Sequence, residues 1–211
     1  MSDYVELQQL RDRGWPWHKS SGGLTPMFGE DGWCHSCGVP KGPQSGSLVL
    51  QRRGLRVEGA WVPNWQFDVI CMTAELGRVA AERFRLETRV VRWPAGPVGD
   101  VVQIVIPTVG ESWFDPEELR AEAIKRHGVA GARCEECGVW RWMPLGLSML
   151  PPLRTPRSVS ADVDIAASPE WFGDGFNAFR QVIMKRELAE FLVEASPRDF
   201  EINPNVEIIP T

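Results

Sequence analysis

The sequence contains Cys34-His35-Ser36-Cys37-Gly38 and, 100 residues later, the same frame again as Cys134-Glu135-Glu136-Cys137-Gly138. Two residues between the cysteines of each pair allow both sulfurs to face one point, and the glycine that follows can adopt the left-handed backbone conformation that such a knuckle needs. Two knuckles together supply four thiolates, which complete a tetrahedral shell for zinc. The sequence therefore predicts one structural zinc ion bound by Cys34, Cys37, Cys134 and Cys137.

Other interpretations of the cysteines remain open. Iron in a rubredoxin-like site uses the same knuckles, and spacing does not distinguish it from zinc. A thioredoxin-like redox motif accounts for one pair but not for its twin, and disulfides are disfavoured in a reducing compartment. Because four sulfurs leave no position for water, the pattern favours a structural over a catalytic ion. We expect His35 to pack or cap inside its knuckle, and Cys71 to be a small buried hydrophobic residue.

The distance between the knuckles in the sequence bears on the fold. Residues 38–133 separate the two cysteine pairs, whereas a compact zinc ribbon has about 15–20 residues there. The ion must therefore join distant parts of one folded body. We predict a single α+β domain over residues 1–211, in which small mixed sheets and a few helices are stapled by a zinc-ribbon-like site. The predicted segments are the first knuckle (34–38), the long segment between the knuckles (39–133), the second knuckle (134–138), a proline-rich link (144–156) and a C-terminal strand-helix-strand unit (179–209).

Local signals predict the individual elements. Thr73 can cap a helix that ends at Phe84, and Asp115 followed by Pro116 can begin a helix that Gly128 ends. A third helix is expected over Arg186–Ala195. Apolar and β-rich runs predict short strands, at Leu48–Leu50, Phe67–Met72, Thr88–Trp93, Val101–Ile106, Phe179–Met184 and Phe200–Ile202.

Composition excludes several classes of protein. Hydrophobic residues make up 43% and charged residues 24% of the 211-residue chain, as in an ordinary globular protein. The chain has no run of 18 apolar residues and no apolar N-terminal stretch of the secretory kind, so we expect a cytoplasmic protein without a membrane partner. Motifs of the GxSxG, GxxxxGK[ST], GxGxxG and HExxH types do not occur, and we expect a protein that is not an enzyme.

The charge is negative and unevenly distributed. The formal net charge is −5, and residues 106–211 hold 17 acidic and 11 basic side chains against 11 and 12 in residues 1–105. This balance argues against a nucleic-acid ligand bound through bulk positive charge. It favours a basic partner at the C-terminal half, although solubility alone is a sufficient reason for such a charge.

The two widely separated Cys-x-x-Cys-Gly knuckles resemble those of the myxobacterial double-CXXCG-motif family. The predicted strand-helix-strand segment from Val182 to Ile202 and the helix end at Gly128–Gly131 are also similar to that family. The resemblance implies an immunity protein that protects the cell from a kin-discrimination toxin. Such a protein binds a cognate toxin, often a nuclease, and inhibits it stoichiometrically without catalysis.

Two acidic surfaces are candidates for toxin binding. In the first candidate, which we call the docking strip, carboxylates alternate with apolar residues. The candidate binding residues of the docking strip are Asp162, Asp164, Glu170, Trp171, Phe172 and Asp174. The alternative for this strip is an edge strand and turn whose aromatic side chains are buried. The second candidate is the acidic face of the Asp115 helix, which is equally compatible with a plain solvated surface, and comprises Asp115, Glu117, Glu118 and Glu122.

The alternative is a zinc-ribbon protein that binds nucleic acid or has a regulatory function. Five arginines support it, because they could form a basic stripe despite the net charge; they are Arg78, Arg83, Arg85, Arg89 and Arg92. Glu75, Glu82 and Glu87 are interleaved with these arginines, which fits an ion-paired solvated face better.

Overall fold

The computed structural model describes residues 4–10, 23–51, 56–64, 66–95, 98–146, 149–155, 163–175, 178–203 and 208–210. Within them the helices are α1 (Leu24–Phe28), α2 (Ala74–Arg83), α3 (Pro116–His127) and α4 (Arg186–Ala195). The strands are β1 (Tyr4–Gln9), β2 (Ala60–Trp61), β3 (Cys71–Thr73), β4 (Glu87–Val90), β5 (Val101–Val105), β6 (Gly131–Arg133), β7 (Trp140–Trp142), β8 (Leu153–Thr155), β9 (Ile165–Ala167), β10 (Trp171–Phe172), β11 (Val182–Lys185), β12 (Phe200–Asn203) and β13 (Ile208–Pro210).

Two antiparallel four-stranded sheets form the body of the protein. One has the order β12-β1-β11-β9 and the other has the order β2-β3-β5-β4. Val5 and Met184 of the first sheet, Met72 and Ile104 of the second, and Leu188 of α4 pack in one buried cluster. Helices and small sheets that share a core in this way confirm the predicted α+β class.

The first sheet is covered on both faces. Ile165 and Met184 belong to the cluster shared with the second sheet, whereas their neighbours Ala166 and Ile183 belong to a different cluster, which includes Leu119 of α3. Successive side chains of a strand point to opposite faces, so both faces of β9 and β11 are apolar. This burial leaves the side chains of these two strands little surface for contact with another molecule.

Two smaller sheets complete the fold. In the order β10-β7-β6, strand β7 pairs antiparallel with β6 and parallel with β10. Strands β8 and β13 pair in parallel. Strand β8 and the buried Leu145 lie within the predicted proline-rich link, so part of that segment is packed into the fold. Among the residues with described positions, no helix has the length and apolar character needed to cross a bilayer.

The predicted helices are confirmed, because their end signals are local. The Thr73 hydroxyl accepts a hydrogen bond from the Leu76 N–H at 3.3 Å, and α2 ends before Phe84. The Asp115 carboxylate caps the start of α3. Gly128, which has a φ of +74°, ends the helix. Helix α4 has the bounds that the sequence predicts.

The strand predictions are less accurate. Only the end of the Phe67–Met72 run enters a sheet, as β3, since Asp68 lies in a turn where its carboxylate accepts a hydrogen bond from the Arg180 N–H at 3.2 Å. Leu48–Leu50 is no sheet strand, and Val49 forms an isolated bridge with Arg92 instead. By contrast, the runs at 88–93 and 101–106 contain the antiparallel pair β4–β5.

The remaining strand predictions are nearer to the structure. A strand is predicted over Phe179–Met184, whereas the observed strand β11 is shorter and begins later, at Val182–Lys185. The strand predicted at Phe200–Ile202 is confirmed by β12. Cys71 is fully buried, as predicted.

Candidate metal centre

The four predicted ligands lie together. The Sγ atoms of Cys34, Cys37, Cys134 and Cys137 all lie within 4.8 Å of one another. Across the two knuckles, Cys34 Sγ is 3.7 Å from Cys134 Sγ, and Cys37 Sγ is 3.6 Å from Cys137 Sγ. A tetrahedral ion with metal–sulfur bonds of about 2.3 Å requires sulfurs about 3.8 Å apart. The four cysteines are therefore brought together as the sequence predicts, in an arrangement that could hold one metal ion.

The two knuckles have the same backbone geometry. The N–H of Gly38 donates to the carbonyl of Cys34 at 2.8 Å, and the N–H of Gly138 donates to that of Cys134 at 2.9 Å. Both glycines have positive φ, +77° and +74°, as the sequence predicts. A residue with a Cβ is strained there, so glycine is required by the backbone even though a Cβ at Gly138 would contact nothing within 4 Å.

Backbone hydrogen bonds also close each knuckle at its base. The Cys34 N–H donates to the carbonyl of Val39 at 2.8 Å, and the Cys134 N–H donates to that of Val139 at 2.9 Å. In the second knuckle this turn connects β6 to β7. The first knuckle has only an isolated bridge in the equivalent place, between Trp33 and Pro40.

The surroundings of the sulfurs favour a bound cation. Cys34, Cys37 and Cys134 are buried and Cys137 is half-buried. Burial raises the pKa of the Cys34 and Cys37 thiols, whereas a hydrogen bond from the Cys137 backbone N–H lowers the pKa of Cys134 to about 6. Four thiolates this close repel one another, and a divalent ion removes that repulsion by binding all of them.

Two arginines that were not predicted as site residues donate hydrogen bonds to backbone carbonyls of the two knuckles. Arg141 Nη1 donates to the Cys37 carbonyl at 3.3 Å and to the Gly175 carbonyl at 2.6 Å. Arg133 Nη1 donates to the Gly138 carbonyl at 2.9 Å. A divalent ion with four thiolates has a net charge of −2, which these cations partly balance. Their position on both sides of the second knuckle is the signal that could have identified them.

The histidines near the site make other contacts. The His35 ring stacks on Trp33 with centroids 4.0 Å apart, and its Nε2 lies 2.7 Å from the Glu30 carbonyl oxygen. His127 Nε2 lies 2.9 Å from the Pro144 carbonyl oxygen. His35 thus packs within its knuckle, as predicted, and the candidate ligands found among the described residues are sulfurs alone.

The docking strip is not a continuous exposed surface, and the prediction is corrected for its buried members. Asp164 is buried, and its carboxylate binds Lys185 Nζ at 2.6 Å and the Arg85 N–H at 2.6 Å. Phe172 is fully buried and packs against Phe114. The alternative interpretation of the strip, with an aromatic side chain in the core, is the correct one for Phe172.

The other strip residues differ in exposure. Glu170 Oε1 accepts hydrogen bonds from Ser112 Oγ at 2.9 Å and from the Trp113 N–H at 2.7 Å, so this carboxylate fastens a turn. Trp171 is half-buried and Asp174 is exposed. The predicted residue Asp162 lies outside the described residues. Of the described strip residues, Asp174 alone is exposed.

The acidic face of α3 is occupied by intramolecular contacts. Asp115 accepts hydrogen bonds from the N–H groups of Glu117 and Glu118 at the start of the helix. Arg154 binds Asp115 at 3.3 Å and Glu118 at 3.5 Å. Glu122 binds Lys125 at 3.2 Å. These pairs agree with the solvated-surface interpretation of this face.

The arginines behind the nucleic-acid alternative are also partly paired. Arg78 binds Glu82 at 2.6 Å and Arg89 binds Glu87 at 3.1 Å. The guanidinium of Arg83 lies over the Phe84 ring, 5.3 Å from its centroid. Ion pairs therefore engage Arg78 and Arg89, which favours the ion-paired interpretation of this run over an uncompensated basic stripe.

The chain was also compared with known proteins. No protein-family model matches it, and neither the curated proteins nor the solved structures contain a significant match.

Proposed function

We propose that this protein is an immunity protein that binds a cognate toxin and neutralises it by stoichiometric, non-catalytic inhibition. One observation carries the proposal: two matching knuckles, 100 residues apart, meet in one four-sulfur cluster. The resemblance to the double-CXXCG-motif family depends on those knuckles. A closed shell of four sulfurs leaves the ion no position for substrate or water, so the centre would hold a binding surface in place.

We further propose that the ion is zinc. Zinc has no geometric preference from d-electrons and commonly occupies four-cysteine structural sites. Metal analysis of untagged protein is expected to give one zinc per chain. Stoichiometric iron, with the visible absorption of an iron–thiolate centre, would contradict this assignment.

The surface that we propose for the toxin is the acidic rim, which we define as Glu135, Glu136 and Asp174. All three side chains are exposed. Glu135 and Glu136 form the tip of the second knuckle, and Asp174 precedes Gly175, whose carbonyl is bound to Arg141 at 2.6 Å. Since Arg141 also binds the carbonyl of Cys37, the rim is fixed to the metal centre. Its charge would complement the basic substrate cleft of a nuclease.

A growth-rescue assay tests the function. The product of the neighbouring reading frame would be expressed alone and together with this protein, and the complex would be isolated by affinity purification. We expect growth arrest by the neighbour alone, rescue on co-expression and a one-to-one complex. A toxic neighbour that is neither rescued nor bound would contradict the proposal, and salt-sensitive binding of duplex DNA by the isolated protein would favour the alternative function.

Charge reversal tests the acidic rim. Asp174→Lys is expected to weaken toxin binding at least about tenfold, mainly through slower association, because it places like charges opposite each other. The matched control is Glu201→Lys on β12, which is also exposed but does not belong to the rim. Equal affinities of the two variants would exclude Asp174 from the interface.

A further inference from the structure

A cavity of about 480 Å³ lies beside the metal centre. Gly38 and Pro40 of the first knuckle contribute to its wall, as do Phe28 of α1, Ile104 of β5 and Ile165 of β9. Its volume falls within the range of roughly 300–1,000 Å³ that is usual for small-molecule sites. The cavity is therefore large enough for a ligand, and most of its wall is apolar.

Arg180 lines this cavity and has hydrogen-bond donors that no described residue uses. Its Nη1 donates to Thr108 Oγ1, and its guanidinium carbon lies 4.0 Å from the centroid of the Trp171 ring. Its Nε is buried and has no hydrogen-bond partner among the described residues. No carboxylate oxygen of the described residues lies within 4.0 Å of the guanidinium nitrogens of Arg180. Asp68 accepts a hydrogen bond from the Arg180 backbone N–H instead.

The unpaired donors of this guanidinium indicate the ligand's chemistry. With Nη1 bound to Thr108, the edge formed by Nε and Nη2 remains, and its two parallel N–H groups match the two oxygens of a carboxylate. Burial disfavours this cation, and the charge of Asp68 offsets that effect only in part, so a carboxylate bound directly to the guanidinium would lower the remaining cost. Trp171 holds the guanidinium plane and so reduces the entropy lost on binding.

Two amides of the wall, those of Gln44 and Gln103, are engaged in hydrogen bonds within the protein. Gln103 Nε2 donates to Gln44 Oε1 at 3.0 Å, and Gln103 Oε1 accepts from the Leu48 N–H at 3.3 Å, so these amides serve the fold. The charged residues of the wall are two acids and two arginines, Asp68, Glu87, Arg85 and Arg180. This balance suits a monoanion better than a phosphate dianion.

We propose that the cavity binds a small monocarboxylic acid with an apolar body, whose carboxylate is held by Arg180. This ligand site is independent of the toxin proposal, because the acidic rim is not part of the cavity wall.

The binding test uses 2-naphthoate and its neutral counterpart 2-naphthamide as probes, with the metal-loaded full chain. Isothermal titration calorimetry is expected to show that naphthoate binds at least about tenfold more tightly than the amide, which corresponds to one charged hydrogen-bonded pair. Equal affinities, no binding of naphthoate, or equal competition by inorganic phosphate would each overturn the proposal. This comparison needs no variant.

Matched arginine variants locate the site. Arg180→Lys keeps the charge but removes the planar two-pronged donor, and naphthoate affinity is expected to fall at least about tenfold. Arg78→Lys is the control, because Arg78 is exposed on α2, binds Glu82 and does not line the cavity. Thermal unfolding and metal content of both variants would be measured first. A folded Arg180→Lys variant with unchanged affinity would exclude Arg180 as the anchor.

Discussion

Substitution of each of two buried cysteines by serine distinguishes the loss of a metal ligand from a change in the apolar core. Cys34 and Cys71 are both fully buried. Cys34 Sγ belongs to the four-sulfur cluster, whereas Cys71 lies in a different apolar cluster, with Leu48 and Trp61. The substitution changes the same atom in both cases, and only Cys34→Ser removes a metal ligand.

The expected costs of the two substitutions differ widely. A structural zinc ion contributes about 10–16 kcal/mol in zinc-finger peptides, which is as large as the typical stability of a whole domain, about 5–15 kcal/mol. Cys34→Ser is therefore expected to lose the ion and most of the free energy of unfolding. Cys71→Ser buries a hydroxyl among apolar side chains, which costs about 1–3 kcal/mol, and it should retain the ion.

The assay combines metal analysis of untagged protein with urea unfolding followed by tryptophan fluorescence. The wild type and Cys71→Ser should each contain one equivalent of metal, and the wild-type midpoint should fall on addition of a strong chelator. A Cys34→Ser protein that keeps stoichiometric metal and a wild-type midpoint would refute the reasoning. So would a Cys71→Ser protein that is as unstable as Cys34→Ser, since burial alone would then explain both results.

Two further predictions concern stability. Burial would raise the pKa of Asp164, but hydrogen bonds from Lys185 and the Arg85 N–H outweigh it and lower the pKa; Asp164→Asn should therefore cost about 2 kcal/mol at neutral pH. That cost should shrink as the pH falls through the lowered pKa, so urea midpoints of the two proteins that stay equally far apart in acid would contradict the assignment. Gly138→Ala should cost about 1–2 kcal/mol because of its positive φ, whereas Gly42→Ala, which also has room for a Cβ but has no positive φ, should cost little. Equal losses in thermal unfolding would show that φ is not the cause.

The features that the sequence predicts well are determined by neighbouring residues. Thr73 and Asp115 cap helices that begin at the next residue, and Gly128 ends one of those helices, so each boundary is encoded within one turn. The ligand set has the same basis, because a Cys-x-x-Cys-Gly frame fixes the knuckle locally. The convergence of the two knuckles is predicted from the coordination number of the ion. A tetrahedral ion needs four ligands and each knuckle provides two, so both knuckles must meet at one site.

The incorrect predictions concern side chains whose partners are remote in sequence. Asp164 is drawn inward by the Arg85 N–H, 79 residues away, and the turn at Asp68 is bound to Arg180, 112 residues away. Alternation of carboxylates with apolar residues does not reveal whether such a partner exists. Arg141 is an intermediate case: its place beside the second knuckle is a signal in the sequence, but spacing cannot identify its partners, which are the carbonyls of Cys37 and Gly175.

The two knuckles depend on the ion to different degrees. The second knuckle closes a hairpin of β6 and β7, which is paired further to β10, so strand pairing holds it without metal. The first knuckle belongs to no sheet among the described residues, and its bridge between Trp33 and Pro40 is internal. Its described links to the second are sulfur contacts, apolar packing that includes Val39 and the hydrogen bond from Arg141. A metal ion bound by the four cysteines would therefore replace strand pairing for the first knuckle, whose Gly38 and Pro40 also line the cavity, and we expect its removal to disturb this part of the fold first.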